Sequence, residues 1–462
     1  MPSVSNGKRF SSESQTADSG RTLTYGSMLF GSTAIVPVAV SITLVLAALA
    51  NPIQPLADSR VSVGDPMLLL RLTVAGLAWL IGLWGVLNSP KVRSVFKSLP
   101  GAAVLLVAVL LLLTSVFATE ETLMISRASA LILLGYVMFM ATAVATVGVR
   151  SVVVAFLIGS AMYLGIAWAA FLFVPSFGQF FEYTDATTAV MRMGGVAHPN
   201  TIAREAAVAL VVCLAMIRSR RVGGTREGVK RTASSNRLHE RIQLRHVGWV
   251  LLVGLILATL VATLSRTSVL AAIAGVIMLM FDKLYSRRGA LVIVVVAIFA
   301  LAGFFYIALT STESVGDAAT AALTKSGDVQ ELTSLTGRTD IWAEALSLIA
   351  ERPLTGYGLD SAASVMSEES VGTHNLMLHV LFSGGVLVGL VMFVLVVMTT
   401  YIALASRQPL FRGIATYVLV SGLVEDTLFG SFPCPLTLLW IVVLMATALP
   451  EPDQTLEREP SL

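Results

Sequence analysis

Only five histidines occur in the 462 residues, and two of them, His374 and His379, stand in SVGTHNLMLHVLFSGGVLVGL at the mouth of a long apolar run. Two imidazoles that hold one metal ion from one helix face recur at i and i+4. A spacing of five turns the second ring about 140° away from the first. The pair is therefore not read as a metal site. No cysteine or carboxylate cluster in the sequence is seen to supply other ligands, so neither a metal nor a cofactor is expected. A single histidine near its ordinary pKa suits another task, accepting a proton from an attacking hydroxyl around neutral pH. His374, at the very start of the run, is placed for that task. His379 lies more than a turn deeper and is read as a supporting residue that bridges helices or backs the site.

Three arginines stand at the edges of other apolar runs: Arg192 in VMRMGGVAHPNTIAREAA, Arg266 in ATLSRTSVLAA and Arg338 in SLTGRTDIW. The planar guanidinium fork fits phosphate oxygens, and several forks facing one cavity fit a diphosphate. Each arginine taken alone serves equally well as an anchor reaching for lipid headgroups. Gly194 and Gly195 allow close backbone approach ahead of a helix that Asn200 or Thr201 can cap. Helix N-termini favour anions, so His198 and Asn200 would frame a pocket there, although a capping turn by itself accounts for the same pattern. Arg204 and Glu205, inside that helix, should face the bundle interior or an aqueous cavity.

The elements that must position these groups are membrane helices. The chain is 56% hydrophobic and 13% charged, outside the usage of soluble domains. Apolar runs of spanning length occur at 28–50, 67–87, 101–118, 128–147, 151–174, 201–217, 247–264, 267–281, 290–309, 375–405, 413–429 and 435–449. The fold class is thus all-α, a polytopic integral membrane protein of about 12 transmembrane helices. Alternate loops carry Lys91, Arg93 and Lys97; Arg150; the Arg-dense stretch 218–246; Lys283, Arg287 and Arg288; and Arg407 and Arg412. Such loops are retained in the cytoplasm, which places both termini inside. A disordered cytoplasmic N-terminus (1–27) precedes helices 1–9 (28–309), and 218–246 is a basic cytoplasmic loop at the anionic leaflet. An external helical subdomain (310–373) contains DIWAEALSLIAERP, with apolar residues at helical spacing, and ends in the turn-rich ERPLTGYGLDS. Helices 10–12 (374–449) and a cytoplasmic tail (450–462) complete the layout. Under this topology the three arginines and His374 share the external face. Cys213 and Cys434 lie in or beside apolar runs and suggest no disulfide.

The ordered set RMGGVAHPNTIA, LSRTSVLA, GRTDIWAEALSLIAERPLTGYGLDS and THNLMLHVLFSGGVLVGL, with a long external loop between the ninth and tenth spans, resembles the superfamily of O-antigen ligases and Wzy-type polysaccharide polymerases. The resemblance covers roughly 192–390. It implies a metal-independent glycosyltransferase of the bacterial inner membrane, acting at the outer face. The implied partners are an undecaprenyl-diphosphate-linked glycan donor, a glycan or lipid acceptor and membrane lipids, with no nucleic acid. It also implies that Arg192 and Arg266 bind the diphosphate, that Arg338 supports the loop or the sugar phosphate, and that His374 of the HN pair is the base. Asn375 would cap the helix or orient His374. Ligase and polymerase are not separated by these motifs.

The rival reading is a secondary transporter or polysaccharide flippase with no bond-forming chemistry. A transporter built from repeats places ionisable residues or broken helices near mid-membrane in corresponding halves. Here the polar residues gather externally in the second half, which favours an enzyme. The sequence has no phosphate loop of the GxxxxGK[ST] type, so nucleotide-driven chemistry is not expected.

Overall fold

The computed structural model describes residues 35–53, 65–183, 189–224, 235–280, 338–367, 372–426 and 428–449. Most of these residues are helical. The helices are α1 (Ile35–Ala50), α2 (Pro66–Asn88), α3 (Pro90–Lys97), α4 (Leu99–Thr114), α5 (Leu123–Phe173), the single turn α6 (Pro175–Gly178), α7 (Pro199–Gly224), α8 (Ser235–Thr263) and α9 (Arg266–Met280). They continue with α10 (Arg338–Glu351), the short α11 (Ala362–Val365), α12 (Leu376–Ala405), α13 (Pro409–Gly422) and α14 (Pro435–Ala446). An antiparallel hairpin, β1 (Gln179–Tyr183) and β2 (Ala189–Met193), precedes α7 and pairs Phe180 with Arg192. The expected ninth span at 290–309, residues 310–337 of the external segment, the N-terminus (1–27) and the tail (450–462) lie outside the described residues.

Among the described residues, five helices are long and apolar enough to cross a membrane: Pro66–Asn88, Leu99–Phe117, Leu123–Phe173, Pro199–Ser219 and Leu376–Ala405. Shorter apolar helices are Ile35–Ala50, Val247–Thr263, Arg266–Met280 and Pro435–Ala446. Large apolar side chains such as Leu80, Leu87, Leu113 and Phe173 stand exposed on outer faces. That is the arrangement expected where hydrocarbon, not water, surrounds the bundle. Inside, polar groups tie helices together: Trp168 Nε1 donates to Thr259 Oγ1 at 2.8 Å and Trp440 Nε1 to Thr399 Oγ1 at 2.9 Å. Arg412 Nε and Arg218 Nη1 donate to the Met278 and Met280 carbonyls at the end of α9, where cations complement the helix dipole.

Three boundaries differ from the sequence expectation. The spans expected at 128–147 and 151–174 form one run, α5, broken at Gly148, whose φ of 76° and ψ of 163° are not helical. The basic stretch 218–246 is helical at both ends, because α7 runs on to Gly224 and α8 starts at Ser235; its Arg, Glu and Gln residues are good helix formers. The span expected at 413–429 is corrected to α13, which stops at Gly422 and leaves Glu425 and Asp426 in a loop.

The helix that carries the histidines is interrupted, and a loop fills the interruption. At Gly385 the backbone of α12 takes φ 71° and ψ −170°. The returning strand of chain at 353–358 docks there: Tyr357 N–H donates to Phe382 O at 2.8 Å, Gly358 N–H to Ser383 O at 2.9 Å, and Val386 N–H to Pro353 O at 2.7 Å. Backbone groups orphaned by the break are thus satisfied from outside the helix, as a buried break requires. Only glycine fits the contact, since a Cβ at Gly356 would lie 2.5 Å from Phe382 O. Tyr357 stacks on Phe382 with ring centroids 5.1 Å apart. α10 packs along α12, burying Ala345 with Tyr357, Ala362 and Phe382.

Candidate functional site

His374 immediately precedes the N-cap of α12. Asn375, with extended φ and ψ, accepts from Met377 N–H at 3.0 Å and Leu378 N–H at 3.1 Å through Oδ1. Its Nδ2 donates to Leu423 O at 2.9 Å, fastening the start of α12 to the end of α13. The expectation that Asn375 caps the helix is met. With the cap fixed, His374 is held in the left-handed region at φ 47°, where a non-glycine residue persists only when its surroundings over-determine it.

Its ring faces the loop after α13. His374 Nδ1 lies 3.8 Å from Glu425 Oε2, and Glu425 Oε1 accepts from Arg338 Nη2 at 3.0 Å. Asp426 Oδ2 lies 4.0 Å from Nδ1 of His379, whose side chain is 6% exposed. Glu425 raises the His374 pKa above the ordinary imidazole range, against the opposing effect of burial, and Asp426 adds to the rise. At 3.8 Å the Glu425 contact acts as an ion pair, not as a formed hydrogen bond. A further carboxylate, Asp360, sits in the loop before α11 at φ 65°. Burial pushes its pKa up, and His379 and Arg71 pull it back.

Glu425 also lines a small cavity, with room for little more than a water molecule, together with Asn200, Arg204, Thr267, Ser268, Tyr417 and Ser421. The first turns of α7 and α9 meet there, so that two helix N-termini and the Arg204 guanidinium face the Glu425 carboxylate across it. Of the two places expected for this pair, Arg204 lies on the cavity wall and Glu205 is fully buried in the bundle interior. Arg266 is the exposed first residue of α9, next to the lining Thr267.

Arg192 is placed differently from the phosphate ligand expected of it. It is 4% exposed, and its guanidinium is engaged by Glu182 Oε2 across the hairpin, by Thr263 O at 2.8 Å and by Asn200 Oδ1 at 2.8 Å. Those contacts lock the hairpin to the ends of α7 and α8. His198 Nδ1 accepts from Asn200 N–H at 3.2 Å, and its ring meets the edge of Phe180. The structure therefore brings Arg338 and His374 together and, beyond a shared wall residue, groups Arg192, His198 and Asn200 separately. His379 is near Asp426.

Glu425, Asp426 and Asp360 escaped the sequence reading. The expectation that no carboxylates stand beside the histidines is corrected: His374, Glu425 and Asp426 each bring a ligand-type atom within 4.8 Å of the others. A signal existed, because an ionisable pair inside an apparent span is by default functional, and the expected span 413–429 ran straight over VED.

Residues 250–394 match the family model Wzy_C, described as O-antigen ligase. That stretch contains Arg266, Arg338, His374 and His379. No curated protein matches the chain. In a chain rich in apolar helices of spanning length, this match over residues 250–394 supports the O-antigen ligase and Wzy superfamily, and with it a membrane enzyme of polysaccharide biosynthesis with glycosyltransferase-like activity.

Proposed function

We propose that the chain transfers an oligo- or polysaccharide from undecaprenyl diphosphate to an acceptor hydroxyl at the outer face of the bacterial inner membrane, with neither metal nor cofactor. The observation that supports this best is the convergence of Arg338, His374 and Glu425, distant in sequence, beside a cavity that also holds Arg204. The acceptor oxygen attacks the anomeric carbon, the bond from that carbon to the diphosphate oxygen breaks, and the electron pair leaves on the diphosphate. The acceptor proton passes to Nε2 of His374, whose Nδ1–H turns toward Glu425. Fixed cations stabilise the charge that grows on the leaving group, and Arg266 and Arg338 fill that role. Arg192 contributes by holding Asn200 in place, with His198 behind it, and His379 backs the site through Asp426. The twelve-span layout, with both termini inside and 310–373 outside, completes the reading.

Arg266→Ala tests the donor site. A charge-assisted contact to phosphate contributes about 1.5–3 kcal/mol, so the variant should bind a lipid-diphosphate glycan in detergent roughly ten- to a hundredfold more weakly. Binding equal to the unaltered protein would remove Arg266 from this role.

The raised pKa of His374 gives a second test. A base must be neutral to accept a proton, so transfer should fall on the acid side as pH drops through a value above the ordinary imidazole range. Glu425→Gln deletes the charge chiefly responsible for the rise. The acid limb of the pH–rate profile should then move to lower pH; an unmoved limb would mean that Glu425 does not tune the base.

A further inference from the structure

We infer that His374, Glu425 and Asp426 form an inhibitory site for a divalent transition-metal ion of the zinc class. The binding half of this inference stands alone; the inhibitory half rests on His374 being the base. One imidazole and two carboxylates, with ligand-type atoms mutually within 4.8 Å, come from two separate elements, the start of α12 and the loop after α13. A mixed nitrogen and oxygen set of this kind suits zinc and its neighbours, whereas calcium and magnesium take oxygen alone. All three residues are only partly buried, so an ion has access.

A second observation points to the same place. His379 is 5% exposed and neither ring nitrogen has a hydrogen-bond partner. An unsatisfied buried imidazole is costly, and its Nδ1 is directed at Asp426 Oδ2, 4.0 Å away. That is the position from which a buried histidine orients a ligating carboxylate. Gly372 backs the same oxygen so closely that a Cβ there would stand 2.3 Å from it. Arg338 occupies Glu425 Oε1 and leaves Oε2 facing His374. Ligands around tetrahedral zinc are about 3.4 Å apart at the usual bond lengths, so the 3.8 Å between His374 Nδ1 and Glu425 Oε2 must close by a few tenths of an ångström, and the set as a whole, spread over 4.8 Å, must draw in by about 1.4 Å.

The inhibition follows from imidazole tautomers. A neutral imidazole has one lone pair available in the ring plane. When a metal takes it at Nδ1, the proton sits on Nε2, and no nitrogen remains to accept one from the acceptor hydroxyl. The ion stops transfer by fixing the wrong tautomer, without having to block the cavity.

The test uses the full chain in detergent, freed of metal by a chelator. Zinc is titrated calorimetrically and cobalt(II) by its visible absorption. One ion should bind per chain, with magnesium and calcium not competing. Loss of a carboxylate that orients or ligates a metal costs roughly 10–100-fold in affinity, and Asp426→Asn and, independently, His379→Gln should each weaken binding by that factor. Transfer by the unaltered protein should fall in step with occupancy and return on chelation. Absence of saturable binding, or equal binding by both variants, would overturn the site. Binding without loss of transfer, or transfer that requires the ion, would overturn the inhibitory assignment. Since binding is read without turnover, its failure leaves the role of His374 as base to be judged by the His374→Ala variant in chelator.

Discussion

His374→Ala should lower glycan transfer about a thousandfold, within the 10²–10⁴ that a positioned general base supplies, while leaving binding of the lipid donor unchanged. The two readouts separate because the diphosphate is assigned to arginines, and only the acceptor proton to the imidazole. The geometry makes the loss large. The ring is held by a left-handed backbone at φ 47°, by the Asn375 cap one residue along the chain, and by a carboxylate on its Nδ1 side that is itself paired with Arg338. A base so restrained is already oriented for its task, and water in its place is not. Added imidazole should recover part of the rate in the space that alanine leaves. Full activity in the variant would show that another group takes the proton.

Gly385→Ala should destabilise the fold by about 3 kcal/mol, combining strain at a positive φ with overpacking against backbone. Residue 385 is at φ 71°, and an added Cβ would stand 2.3 Å from the carbonyl carbon and oxygen of Leu354. Neither atom belongs to a flexible side chain, so the loop itself must move. That movement breaks the hydrogen bonds by which 353–358 docks into α12, and with them the seat of α10, whose first residue is Arg338. The expected results are a lower melting temperature, faster proteolysis after the loop's Arg352, and transfer reduced along with them. A variant that melts and transfers as the unaltered protein does would show that the break tolerates a side chain.

Much of this architecture was legible in the sequence because a bilayer imposes a coarse code. Runs such as 67–87 and 101–118 are read from length and hydropathy alone, and α2 and α4 lie where those runs do. The helix in DIWAEALSLIAERP and the cap at Asn375 depend on neighbours in sequence, and both are found. What was illegible depends on pairing across distance. The contact of Arg338 with Glu425 spans 87 positions, and no periodicity reports it. Arg192 was recognisable as an unusual cation beside an apolar run, but its commitment to Glu182, Thr263 and Asn200 required the hairpin, which the segment 175–200 did not announce. Hydropathy also blurs ends: Leu428 and Phe429 beyond Glu425 and Asp426 stretched an apparent span across a loop, and so hid the two carboxylates nearest the histidines.

The docking of 353–358 into the broken helix also ties together two parts of the site that are far apart in sequence. It clamps the chain on its way back into the bundle, before His374 is reached, and the packing of α10 on α12 fixes Arg338 by the same clamp. His374 and Arg338, which reach Glu425 from opposite ends of this chain segment, are thus seated by one joint, so that a disturbance at the break in α12 is felt by both partners of the carboxylate at once.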